Sequence, residues 1–173
     1  MSQKLSRGYG RAVDAAKSFS NIYVVDSRHI SGGMGHLVFR AAEMANAGAC
    51  VEVILQMLER DRRKVQTTVV LESTECAFRS GSLEKAHHVL CDALNLHPMV
   101  RLRAGRDALF GLCFGNPYHY AKRYLKRIFK KPEEIDTDFV LLMYTSCSEK
   151  LIRYIEKEMR RMIDFKRILV VPT

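Results

Sequence analysis

Residues 22–39 constrain the fold of this chain most. Ile22, Tyr23, Val24 and Val25 form a short apolar run that reads as a buried strand, and Asp26 and Ser27 end it. A loop of small residues follows, with Ser31, Gly32, Gly33 and Gly35. Leu37, Val38, Ala41, Met44 and Ala45 then recur at helical spacing. A strand, a glycine loop and a helix start make a place for an anionic head group. Backbone N–H groups at the helix N-terminus point at it, and glycines let it approach. The same pattern also describes an ordinary β–α connection that turns on glycine, and spacing alone does not separate the two.

The remaining periodicities alternate in kind. Residues 4–19 read as a helix, with Ala12, Val13, Ala16 and Phe19 on one side. The helix that opens in the glycine loop runs to residue 46, and Gly48 ends it. Residues 51–63 form the next helix, striped by Val51, Ile54, Leu55 and Leu58. A β-branched strand covers 65–71, and a short helix starting at 73–75 breaks near Gly81. Helix 83–94 turns Leu83, Ala86, Leu90 and Ala93 inward. His97 and Pro98 mark a strand entry, and strands 99–103 and 108–114 make a hairpin. Helix 117–130, strand 138–144, helix 148–162 and strand 167–171 follow.

This order predicts an α/β fold with α+β character. A mixed sheet carries the hairpin, is flanked by helices, and is preceded by part of a Rossmann-like domain. A boundary near residue 64 separates a partial Rossmann-like region, 1–64, from a compact α/β domain, 65–173.

At 47% hydrophobic, 173 residues can bury a real core. Apolar runs stay far below the roughly 18 residues that span a membrane, and the N-terminus is polar. A cytoplasmic protein without an integral membrane segment is expected. The five cysteines, at 50, 76, 91, 113 and 147, are scattered and include no Cys-x-x-Cys pair. They read as free thiols, not as a disulfide framework or a zinc site.

Nothing here calls for an enzyme, a metal or a cofactor. His87 and His88 are adjacent on a helix, so their side chains diverge by about 100°. His29 near Asp26 and Ser27 has the composition of a triad only, and no Gly-x-Ser-x-Gly elbow is present. Cys147 lies in a strand-to-helix loop that can lower a thiol pKa. Ser146, Cys147 and Ser148 read first as caps of the helix that follows.

A net charge of +9 asks for a partner, and much of the excess lies in residues 122–131. Ala121, Tyr124, Leu125 and Ile128 share one helical face, while Lys122, Arg123, Lys126, Arg127 and Lys130 point elsewhere. This is either a solvated face or a docking surface for an acidic partner or a membrane surface. No recognisable nucleic-acid module accompanies it, so nucleic acid ranks behind both.

Several short runs carry a family resemblance. Ser2, Gln3, Lys4, Leu5, Ser6, Arg7, Gly8 and Tyr9 precede a helix. Val24 to Ser27 and Ser31 to Gly35 follow, then Thr68 to Ser73, Leu94 to Val100, and Arg103 to Arg106. In that order they resemble the DegV family of bacterial fatty-acid-binding proteins. Its corresponding runs read Ser-Ser-x-Leu-Ser-Gly-Thr-Tyr, Val-Val-Asp-Ser and Leu-Asn-x-x-Pro-x-x.

The resemblance implies a non-catalytic lipid-binding protein that holds a long-chain fatty acid and presents it to a fatty acid kinase. It makes Ser2, Ser6, Ser27, Ser31 and Gly32 the candidates for the carboxylate. The residues also suit local roles, Ser2 and Ser6 as helix caps and Ser27 as a strand end. Met34, Leu37, Phe39, Met57, Val70 and Phe78 are candidates for an acyl tunnel or for plain core. Arg123, Lys126 and Arg127 are the candidate docking face.

The chain departs from the family at Gln3, where the family has the second serine of a pair. Ser80, Gly81 and Ser82 replace a Gly-Gly-Arg turn, and Tyr144 stands nearest to a late histidine. The family's Asp-Ser-Thr strand, Thr-Ser-Gln-Pro loop and His-x-Gly-Pro-Gly segment have no counterpart. A fragment or shortened member is expected, and the edge of a half domain suggests a homodimer. The alternative is a regulatory or interaction domain that has lost the acyl site and binds an acidic protein or nucleic acid through its basic face.

Overall fold

Glycine and proline punctuate this chain where the backbone changes direction. Gly48 and Gly81 stand at φ +82° and +75°, a region in which a Cβ is strained, and each follows a helix end. Pro117 occupies the first turn of a helix whose Asn116 cap accepts from Tyr118 N at 2.9 Å. The structure, a computed structural model, describes residues 2–4, 7–79, 81, 83–103 and 106–173. Ser6, Ser80, Ser82 and the pair Ala104 and Gly105, where a turn is expected, lie outside the described residues.

The chain divides into two compact units. The first comprises residues 1–67 and 102–107, the second 68–101 and 108–173. In the first, α1 (Gly8–Ala16), α2 (Ser31–Asn46) and α3 (Val51–Asp61) follow in order, with α2 packed on α3. Leu37 of α2 and Met57 of α3 are buried, at 2% and 6% exposure.

The expected strand at 22–25 does not form: the segment has no regular structure and pairs with no described strand, and Ile22 and Tyr23 are about half exposed. A strand is completed by its neighbour's hydrogen bonds, and apolar composition alone does not provide them. Phe19, expected on the inner side of the first helix, is exposed beyond the end of α1.

The α/β class expected from the sequence holds, with the strands in two small sheets. One has the order β1-β2-β3, from β1 (Thr67–Val70), β2 (Leu96–Arg103) and β3 (Arg106–Phe114). The other pairs β4 (Val140–Tyr144) with β5 (Ile168–Pro172) in parallel, with Val140 opposite Ile168 and Tyr144 opposite Pro172. Parallel strands need a crossover, and α7 (Glu149–Met162) supplies it. Ser148 caps α7 by accepting from Leu151 N.

α6 (Pro117–Ile128) packs on α7. Leu125, Met159, Ile163 and Phe165 form the core there, with Val140, Leu142 and Ile168 of the parallel pair against it. Full burial of such side chains is worth about 1.5–3 kcal/mol each. A second cluster joins Met99, Cys113 and Tyr120, with Val70 and Phe110 packed on it.

α4 (Glu75–Arg79) and α5 (Lys85–Ala93) complete the second unit. α5 is rotated from expectation: Ala86, Leu90 and Ala93 face outward, and Leu90 is 52% exposed. His88 takes the inner side instead. It stacks on Phe78 at 4.9 Å, and its Nδ1 lies 2.7 Å from the buried Thr74 hydroxyl.

Candidate functional site

Asp26 organises the loop that precedes α2. One of its carboxylate oxygens accepts from the backbone N–H of Gln3 and of Arg28, both at 3.0 Å. Two guanidinium groups, from Arg28 and Arg62, stand 3.9 Å from the other oxygen. Arg62 also donates to the Asp26 carbonyl at 2.6 Å and pairs with Glu59. The bond from Gln3 brings the N-terminal segment to the loop, with Ser2 only 1% exposed. Gln3 thus serves this junction through its backbone N–H.

Ser27 is buried, and its hydroxyl is engaged in the loop. Oγ donates to His29 O at 3.0 Å and accepts from His29 N at 3.2 Å. A serine hydroxyl has one proton to give, so here Ser27 shapes the turn. Arg28 and Ser31 sit at φ +56° and +48°, left-handed conformations that cost a non-glycine residue on the order of 1 kcal/mol each. Ser31, which is exposed, opens α2, and Gly32 is half-buried beside it. The N-cap residue Ile30 makes no side-chain cap bond, and the first turn of α2 holds no acidic side chain. That leaves the positive end of the helix dipole facing this loop uncompensated by a carboxylate on its own first turn.

His29 is the anchor beneath the loop, with no exposed surface. Its Nε2 is 3.1 Å from Arg62 O and its Nδ1 3.4 Å from Thr67 Oγ1. A carbonyl only accepts, so Nε2 carries the proton and Nδ1 receives the threonine hydroxyl. Burial pushes the His29 pKa below 6.5, against the opposing pull of the Arg62 carbonyl and Asp26. Gly33 is required above this ring. A Cβ there would overlap Thr67 Oγ1 and stand 2.9 Å from His29 Nδ1.

The structure therefore brings Ser2, Ser27, Ser31 and Gly32 to one loop. It adds His29, Arg62 and Thr67, which sequence reasoning did not assign to it. The signal that could have found two of them is Gly33, a glycine at a helix start where close approach is one standard cause, here the approach of His29 and Thr67. His29 does not address the Ser27 hydroxyl as a catalytic base would, since both of its ring nitrogens are engaged elsewhere.

Other candidates resolve individually. Of the tunnel residues, Leu37 and Met57 are buried in the first unit, Val70 packs on the Met99 cluster, and Phe78 stacks on His88. All five cysteines are free. The Cys147 thiol pKa is raised, by burial first and then by Glu72, so the loop does not lower it. His87 faces Glu84 and His88 faces Glu75, and among the described residues no cluster suited to a metal ion occurs. No helix among them is long and apolar enough to cross a membrane.

Arg123, Lys126 and Arg127 share a face of α6. With Met99, Leu112 and Cys113 they line an open cavity of about 270 Å³ in the second unit.

Comparison with known proteins places this architecture. A family model described as "Uncharacterised protein, DegV family" matches residues 1–172. A DegV domain-containing protein of Caldanaerobacter subterraneus subsp. tengcongensis is 26% identical over 98% of this chain and 60% of its own length. The chain thus spans about three fifths of the curated relative it matches over most of its length.

Among solved structures, a Thermus thermophilus DegV family protein described for its fatty acid binding is 27% identical. Its TM-score is 0.81, covering 99% of this chain and 61% of that one. The Streptococcus pneumoniae fatty acid kinase (Fak) B3 protein, loaded with linoleic acid, shares the fold at a TM-score of 0.86 and 17% identity. That match covers 100% of this chain and 63% of the other. With the family model matched from residue 1 to residue 172, the chain belongs to the DegV family.

Proposed function

We propose that this protein is a non-catalytic carrier of a long-chain fatty acid. The observation that carries the reading is the Asp26 loop. It gathers buried Ser2 and Ser27, then Ser31 and Gly32, at an α2 N-terminus whose first turn has no acidic residue. The fatty acid binding described for the Thermus relative supports the same assignment. The carboxylate sits at Ser2, Ser31 and Gly32. Ser27 rotates its hydroxyl from His29 O to join them, and Ser6 completes the set.

Energetically the tail dominates. Each buried methylene is worth about 0.8 kcal/mol, so a long acyl chain supplies on the order of 10 kcal/mol before costs. Charge-assisted hydrogen bonds, roughly 1.5–3 kcal/mol each, fix orientation and select the acid. The carrier works in the cytoplasm and presents the acid to a fatty acid kinase, docking it through Arg123, Lys126 and Arg127.

Native mass spectrometry of the purified protein, with organic extraction of bound material, tests the lipid reading. A co-purifying long-chain fatty acid is expected. An apo mass that stays unchanged after incubation with oleate refutes it. The triple substitution Arg123→Glu, Lys126→Glu and Arg127→Glu is expected to weaken coupling to the kinase and leave lipid retention intact.

A further inference from the structure

The docking residues enclose a concavity, and the chemistry of its wall and floor differs. Arg123, Lys126 and Arg127 lie three and four residues apart on α6, so their side chains rise from one face. They meet Met99, Leu112 and Cys113, which give the cavity an apolar floor.

Both arginines are held in place. The Arg123 guanidinium lies 5.1 Å from the Phe114 ring, and that of Arg127 lies 5.8 Å from Phe110. Gly111 makes room for Arg127, because a Cβ there would stand 3.2 Å from its Cζ. Arg101 stacks on the same Phe110 at 4.6 Å, and its buried Nε has no hydrogen-bond partner. Among the described residues no carboxylate lies within ion-pair distance of Arg101, Arg123, Lys126 or Arg127. Their neighbour Lys122, by contrast, faces Glu158 at 3.8 Å.

Like charges gathered on one helix face repel each other, and here described side chains supply no counter-charge. Ring stacking has already removed part of the freedom that arginine loses on binding. Two guanidinium forks match the oxygens of a tetrahedral oxyanion, and a lysine adds a point charge. Met99, Leu112 and Cys113 bring no charged side chain to the floor, so it suits an organic substituent and not a second charged group. At about 270 Å³ the cavity takes both parts.

We propose that the cavity between α6 and the β2–β3 hairpin binds a phosphate monoester carrying a small apolar group. The phosphate engages Arg123, Lys126 and Arg127, and the substituent lies on Met99 and Leu112. This site requires neither the fatty acid nor the kinase.

Phenyl phosphate is the probe, titrated calorimetrically at fixed ionic strength against inorganic phosphate and benzoate. The expected result is one-to-one binding in which phenyl phosphate exceeds both comparators. Arg123→Lys keeps the charge and loses the fork, and Lys126→Gln disturbs no ring stack. Each is expected to weaken binding about tenfold or more with an unchanged circular dichroism spectrum. Leu112→Ser is expected to erase the preference for phenyl phosphate over inorganic phosphate. The exposed control Lys150→Gln leaves binding unchanged. Benzoate binding as tightly as phenyl phosphate, or affinity insensitive to both α6 substitutions, overturns the proposal. So does failure of every small anion to bind while an acidic protein still docks. No fatty acid enters the assay, so its outcome is read independently of lipid retention.

Discussion

Replacing Gly33 with alanine separates close packing from helix propensity. Alanine is favoured over glycine inside a helix by about 1 kcal/mol, and Gly10 and Gly33 each stand third in their helices. Their surroundings differ completely. A Cβ at Gly10 meets nothing within 4 Å, whereas one at Gly33 overlaps Thr67 Oγ1 and lies within 3.0 Å of His29 Nδ1 and Cβ. Thr67 can turn its hydroxyl aside, at the cost of its bond to Nδ1. His29 cannot move without breaking its link to the Arg62 carbonyl.

Overpacking of this kind costs about 1–3 kcal/mol, and a lost buried hydrogen bond adds roughly 1 kcal/mol. Set against the propensity gain, Gly33→Ala should be net destabilising by about 1–3 kcal/mol. Gly10→Ala should stabilise by up to about 1 kcal/mol. Thermal unfolding of the first unit, followed by circular dichroism with hydrogen exchange at α2 amides, reads both. Gly33→Ala with stability equal to or above wild type refutes the packing described for the loop. Thr67→Ala, which removes Oγ1, should recover part of the loss in the double variant.

Two further outcomes follow from the same structure. The pKa of His29 is held below 6.5 by burial, so the unfolded chain binds a proton that the native state refuses. Its contribution is therefore fully present above pH 6.5 and is lost as pH falls toward the native value. His29→Gln should flatten the fall in Tm between about pH 7.5 and 5.5, and an unchanged slope refutes the assignment. Asn116→Ala removes the cap that accepts from Tyr118 N, and should cost about 1 kcal/mol in chemical denaturation of the second unit.

What was legible in the sequence depended on the range of the physics involved. α2, α3, α6 and α7 follow from apolar spacing within the segment itself, and Gly48 and Ser148 mark ends through their own backbone or side chain. The β4 and β5 strands were readable as short apolar runs on either side of α7. α5 misled because its inner face is chosen by His88, whose partners Thr74 and Phe78 lie on another element. Residues 22–25 look like a strand in composition, but pairing is a property of two segments. In the site, the serines and glycines of the loop were visible. Arg62 and Thr67, which reach it from beyond α2, were not, because no local pattern encodes a contact across so many residues.

The parallel β4–β5 pair also sets a timetable for synthesis. Val140 finds its partner Ile168 only after the whole crossover has left the ribosome. At roughly 5–20 residues per second, the apolar β4 waits on the order of seconds without its neighbour. α7 forms within about a microsecond of its emergence and can lay Met159 on Leu125 before β5 exists. The helix thus covers the apolar face of β4 while the strand's edge still awaits β5.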